Sequence, residues 1–161
     1  MNTFVAGFTK SDDIAKPDNK ISFTLQKTTY CNFYLIKMNV KIDTKERFTV
    51  ITPEEARLSV NMTEELSQLL LSYLQKDIPH LVLNMQAVQS VDEPLAENIA
   101  QIQQQFYNNN CSFVICNLQK EVVHLLEKKE LLEFMNFTPS ESEAWDIVQM
   151  EEIERDFMKD D

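Results

Sequence analysis

Asp92-Glu93-Pro94-Leu95 stands between a loop-like stretch, Gln86 to Val91, and an apolar-periodic run from Ala96 to Tyr107. A helix beginning there offers unpaired backbone N–H groups and the positive end of its dipole. That setting suits an anion, a phosphate or a hydroxyl under regulation. In this chain the positions hold fixed carboxylates, Asp92 and Glu93. The same residue types also start helices for purely local reasons, with Asp as N-cap, Glu in the first turn and Pro early in the helix. On either reading the loop is the exposed end of a rigid element, where recognition concentrates.

The remaining candidates for chemistry do not converge. His80 opens an apolar strand and His124 falls inside a helical run, so a shared metal or catalytic pair is not expected. Cys31, Cys111 and Cys116 have no metal-ligand spacing, and nothing brings a His to either of the last two as a nucleophile pair. The acidic run Glu151 to Asp156 and the tail Lys159-Asp160-Asp161 read as a solvated helix face and terminus. The single glycine, Gly7, lies far from every strand-to-helix junction, which excludes a Walker-type phosphate loop and a dinucleotide fingerprint. The expectation is a non-catalytic protein without cofactor or metal.

Charge narrows the partners. The 161 residues carry a net charge of -11, unevenly placed: residues 1–37 are +2, and Ser140 to Asp161 alone are -7. Such a surface repels phosphate backbones and anionic lipid, so nucleic acid is not an expected partner. No apolar run approaches the roughly 18 residues of a membrane span, and Met1 to Lys10 lacks the pattern of a signal peptide. Three unpaired cysteines suit a reduced, cytoplasmic compartment.

The elements that must position the loop follow from apolar periodicity. Met1 to Lys20 is polar and turn-rich, while Ile21 to Ile36 suits one or two strands. Val40 to Thr44, a Lys45-Glu46-Arg47 turn and Phe48 to Thr52 form a hairpin, and Ala56 to Val60 suits a short strand. Asn61 and Glu64 have the spacing of a capping box before a helix that buries Leu66, Leu69, Leu70 and Tyr73 or Leu74. His80 to Met85 is a buried strand. The helix after Pro94 turns Leu95, Ile99, Ile102 and Phe106 inward and places Gln101, Gln103, Gln104 and Gln105 elsewhere. Asn108-Asn109-Asn110 stops it, since Asn tolerates the left-handed conformation. Ser112 to Cys116 is the next strand, with Cys111 and Cys116 on opposite faces. Gln119 to Lys129 is a helix, Leu131 to Phe137 contains the last strand, and a final acidic helix holds Ala144, Trp145, Ile147, Val148 and Ile153. Strands alternating with helices behind a hairpin give an α/β fold: a mixed sheet with a leading antiparallel hairpin and helices packed on it.

From Met38 to the end the chain resembles the STAS domain (sulphate transporter and anti-sigma factor antagonist), in the small stand-alone form of the bacterial anti-sigma factor antagonists. The resemblance rests on Met38-Asn39-Val40-Lys41, Ile78 to Met85, Val91-Asp92, Phe113 to Cys116 and Val123 to Leu131, in the family order. It implies a non-enzymatic protein-interaction module in partner switching and transcription regulation, whose partner is a kinase-like anti-sigma factor. It leaves room for a homodimer. It also implies a binding surface at Ser90, Val91, Asp92, Glu93, Pro94, Leu95 and the Asn117 turn. In that family the Ser directly after the Asp is phosphorylated; here the position is Glu93, which carries one negative charge against about -1.5 to -2 for phosphoserine. Glu93 cannot be switched by phosphorylation, and the hydroxyls nearby at Ser90 and farther off at Ser112 do not match the family position. The alternative is a STAS scaffold or ligand-sensing protein with no sigma-factor role. Residues 1–37 fall outside the match. They are expected to be an extension, either upstream of a native start at Met38 or an added strand or arm covering a sheet edge.

Overall fold

The computed structural model describes residues 38–159, so the strands expected between Ile21 and Ile36, and residues 1–37 as a whole, lie outside the described residues. Strands β1 (Val40–Thr44) and β2 (Thr49–Pro53) pair antiparallel, from Val40 opposite Pro53 to Thr44 opposite Thr49. The Lys45 N–H donates to the Phe48 carbonyl at 2.8 Å and closes the turn. β2 then runs parallel to β4 (Leu81–Asn84), β4 to β6 (Phe113–Cys116) and β6 to β7 (Phe137–Thr138). The sheet order is β1-β2-β4-β6-β7. Four helices accompany it: α1 (Thr63–Ser72), α2 (Glu93–Asn108), α3 (Lys120–Lys128) and α4 (Glu141–Lys159).

The alternation of side chains along a strand divides the core in two. Ile51, Leu81, Leu83, Phe113 and Ile115 face the larger side, where α1 contributes Leu66 and Leu70, α2 contributes Leu95, Ile99, Ile102 and Phe106, and α3 contributes Val122 and Leu126. Val50, Val82, Val114 and Cys116 face the other side, under Ala144 and Val148 of α4. The central strands are therefore apolar on both faces, which is why they read as continuous runs. Cys111 packs on the first core and Cys116 lies in the second, so the expected opposition of the two thiols holds.

Several local expectations are corrected. The stretch Gln86 to Val91 is not all loop: Ser90–Val91 forms β5, which pairs parallel with β3 (Arg57–Leu58) as a separate two-stranded ladder. β3 falls within the short strand expected at Ala56 to Val60, whereas the two residues of β5 are too few to leave a periodic signal. Asn61 and Glu64 form no capping box, because Val60–Met62 is a tight 3-10 turn that leads straight into α1. Side-chain capping occurs instead at α4, where the Glu143 N–H donates to Ser140 Oγ at 3.3 Å and the Ser140 hydroxyl donates to Glu143 Oε1 at 3.1 Å. Gln103 is buried: its Nε2 donates to the Phe113 carbonyl at 2.7 Å and to the Asn136 carbonyl at 3.3 Å. Trp145 and Ile153 are exposed on α4 rather than packed. Within Leu131 to Phe137, Leu132–Phe134 is a 3-10 turn, and only Phe137 of that stretch lies in the last strand, which continues to Thr138. Asn110 does adopt the left-handed conformation (φ 56°), as do Asn117 (φ 56°) and Glu130 (φ 57°), at three element ends where no glycine is present.

Candidate functional site

Site geometry begins at the carboxyl end of β4. Asn84 is buried, and its Oδ1 accepts the Gln86 N–H at 3.1 Å and Asn117 Nδ2 at 3.1 Å, while its Nδ2 lies 3.4 Å from Glu141 Oε2. Asn117, half-buried and left-handed, turns the chain after β6 so that Gln119 Nε2 can donate to the Gln86 carbonyl at 3.0 Å. The Gln86 loop and the Asn117 to Gln119 turn are thus joined by hydrogen bonds.

The far side of the loop is held by the β3–β5 ladder. The Gln89 N–H donates to the Ala56 carbonyl at 2.8 Å and the Asp92 N–H to the Leu58 carbonyl at 2.9 Å. Asp92 is the last residue before α2, with extended backbone (φ -72°, ψ 143°), yet its side chain does not cap that helix. It reaches across to β3, accepting the Val60 N–H on Oδ2 at 3.0 Å and Arg57 Nη2 on Oδ1 at 3.0 Å. Those two donors, the Val60 N–H first, hold its carboxyl below the usual carboxylate range. Asp92 therefore fixes the loop to the neighbouring strand, a role that local helix rules do not contain.

Glu93 is also paired. Lys129, just past the end of α3, places Nζ 2.6 Å from Glu93 Oε2 and 3.7 Å from Glu97 Oε1. Lys129 lowers the Glu93 carboxyl, and Glu93 in turn raises the Lys129 ammonium. The carboxylate at this helix start is thus balanced by a cation from the adjacent helix. Of the remaining expected site residues, Ser90 and Pro94 are exposed, whereas Val91 and Leu95 point into the core and shape the loop from below. The other hydroxyl weighed, Ser112, lies at the opposite end of the sheet, before β6, where it is buried and accepts from Arg155 Nη2 at 2.7 Å.

Arg57, Val60 and Lys129 were not singled out by sequence. Arg57 and Val60 reach Asp92 through a ladder too short to predict. Lys129 was in principle legible, since right-handed crossovers bring consecutive helices side by side on one sheet face. His80 and His124 do not meet as a pair. His80 Nδ1 accepts the Ser112 N–H at 3.0 Å below the sheet, and His124 is exposed beside Glu127. Among the described residues no cluster of three His, Cys, Asp or Glu could hold a metal, and no helix is long and apolar enough to cross a membrane.

The profile of the STAS domain matches residues 39–144. The chain belongs to the STAS domain family. Among solved structures, an anti-sigma factor antagonist from Mycobacterium paratuberculosis superposes on this STAS protein with a TM-score of 0.62 at 12% identity, over 70% of this chain and 95% of its own. RsbS from Moorella thermoacetica, in a form with one serine exchanged for glutamate, gives 0.57 at 20% identity over 69% and 95%. The murine anion transporter Slc26a9 gives 0.57 at 17% identity, over 67% of this chain but 18% of the transporter. At these identities the likeness establishes the shared STAS fold. Among curated protein sequences none matches the chain.

Proposed function

We propose that this STAS protein is a non-catalytic interaction module of the anti-sigma factor antagonist kind, docking a kinase-like anti-sigma partner in a bacterial partner-switching pathway. The docking surface is the Gln86 to Asp92 loop with the exposed start of α2 and the Asn117 to Gln119 turn. The observation that carries this reading is that the loop is tied on both sides, by Gln119 and by the β3–β5 ladder, into a preformed surface without a converging nucleophile, acid/base pair or metal set. Glu93 occupies the position that the family phosphorylates, and its pairing with Lys129 leaves much less uncompensated charge there than phosphoserine would. Glu93 is accordingly a clasp between α2 and α3, and the surface is competent to bind without a phosphorylation cycle at that residue.

A pull-down from source-cell extract with two baits, the natural chain and Glu93→Ser with Pro94→Ser, tests this by mass spectrometry. Capture of a kinase-like ATPase by the natural bait supports a competent surface. Capture only by the altered bait would make Glu93 a permanent off signal and overturn the clasp. The likeness to a segment of Slc26a9 favours a second reading, a scaffold or ligand-sensing STAS protein without a sigma-factor role. No such ATPase with either bait, together with melting that shifts on ligand addition, would favour that reading.

A further inference from the structure

Helix α4 has two unlike faces along its second half. Its first half packs on the sheet through Ala144, Ile147 and Val148. Beyond Val148 the sheet-facing side chains are polar and individually bonded: Glu151 accepts from Asn136 Nδ2 at 2.9 Å, Glu152 from Arg47 Nη1 at 2.8 Å, and Arg155 donates to Ser112 Oγ at 2.7 Å. These contacts fix the rotation of the helix and turn Met150, Ile153 and Phe157 away from the sheet. The three are 61%, 54% and 72% exposed. Their spacing of three and four residues places them in one stripe. Surface residues of this size at helical spacing on the outer side of a helix are the inverse of normal amphipathic packing, and such a patch marks a contact.

Charge identifies the occupant. The stripe is bordered by the exposed carboxylates Glu143, Asp146, Glu154 and Asp156. Of the two cations of the helix, Arg155 is engaged with Ser112 and Glu151, and Lys159 offsets only Asp156, at 3.3 Å, so the border stays net negative through Glu143, Asp146 and Glu154. A second copy packing α4 on α4 would set these carboxylates against one another, and anionic lipid would be repelled in the same way. We propose that the outer face of α4 is a second docking surface, on the sheet face opposite α2, that takes a cationic amphipathic helix of a protein partner. Met150, Ile153 and Phe157 pack into that helix's apolar stripe, and the bordering carboxylates meet its Lys or Arg.

The experiment uses the full chain and a synthetic peptide of leucine and lysine patterned as an amphipathic helix, with a counterpart carrying glutamate in place of lysine. Binding is read from calorimetry, with the fluorescence of Trp145, the sole tryptophan, five residues before Met150 on the same helix, as a second readout. The lysine peptide should bind with salt-sensitive affinity and the glutamate peptide should not. The double variant Ile153→Ser with Phe157→Ser, at two exposed positions and with net charge unchanged, should keep the natural chain's circular dichroism and lose at least about tenfold in affinity. Equal binding to variant and natural chain would reduce the effect to bulk charge and overturn the proposal. Failure of the lysine peptide to bind, or concentration-dependent self-association abolished by the double variant, would overturn it as well.

Discussion

Asp92 and Glu93 are adjacent carboxylates whose types alone suggest one function, helix initiation, while their partners give them two others. Asp92 joins α2 to β3 and Glu93 joins α2 to α3. The Asp92 carboxyl is depressed in the folded state. Its contribution to stability is therefore present above the unfolded value near 3.8 and is lost as pH falls through the folded one. Asp92→Asn should lower the melting temperature at neutral pH and flatten the acid limb of a melting-temperature profile. Lys129→Gln should move the Glu93 titration, followed by carboxyl carbon NMR, back up toward the ordinary glutamate range, with little change in melting temperature because the pair is solvent-screened. Cysteine behaviour is set by burial in the same residue-by-residue way. Burial pushes the Cys116 thiol up to about 12, whereas Cys111 is only partly covered. In native protein with Cys31→Ser, iodoacetamide should label Cys111 first and reach Cys116 only at the rate of unfolding.

At the scale of elements, legibility tracked length. The hairpin and the inward stripe of α2 were visible through their repeating period and β4 and β6 as continuous apolar runs, and Leu95, Ile99, Ile102 and Phe106 are all buried as the helical period requires. The β3–β5 ladder was invisible as a pair for the opposite reason, and with it the anchor of Asp92. Gln103 shows a different limit, because its place four residues after Ile99 and three before Phe106 lies in the inward stripe while its polar type, shared with Gln104 and Gln105, reads as surface. It is buried because the carbonyls of Phe113 and Asn136 meet the helix there, and its Nε2 binds both while its Oε1 finds no partner. One donor thus fastens α2 to the β6–β7 side of the sheet. Gln103→Ala should cost roughly 1 to 3 kcal/mol in urea unfolding, combining lost hydrogen bonds with lost packing. Gln104→Ala, on the exposed side of the same turn, should fall within about 0.5 kcal/mol of the natural chain.

For the whole domain, the sheet separates two ends that serve different purposes. The carboxyl ends of β4 and β6 carry the Asn84, Asn117 and Gln119 network of the candidate surface. The opposite end is closed by α4 through Arg155, Glu152 and Arg47 around His80. That closure was not legible from sequence, because His80, Ser112 and Arg155 are brought together only by the packing of α4 beneath two parallel strands. His80 Nδ1 accepts the Ser112 N–H, which requires that nitrogen to be unprotonated. Burial first, and the nearby Arg155 second, lower the His80 pKa from 6.5, and Glu152 opposes them without reversing the direction. A depressed histidine stabilises the folded state above its unfolded pKa and loses that contribution as pH falls through the folded value. The natural chain should therefore lose stability on acidification from about pH 6.5 downward, before most carboxylates titrate. His80→Gln supplies an uncharged side-chain acceptor and should remove this component while leaving the carboxylate-driven loss at lower pH. Urea midpoints for both chains from pH 8 to pH 5, with pH values on the order of the reference range for histidine, decide the matter. Parallel curves would show that the closure tolerates imidazolium, through Glu152, and that the Ser112 bond is dispensable.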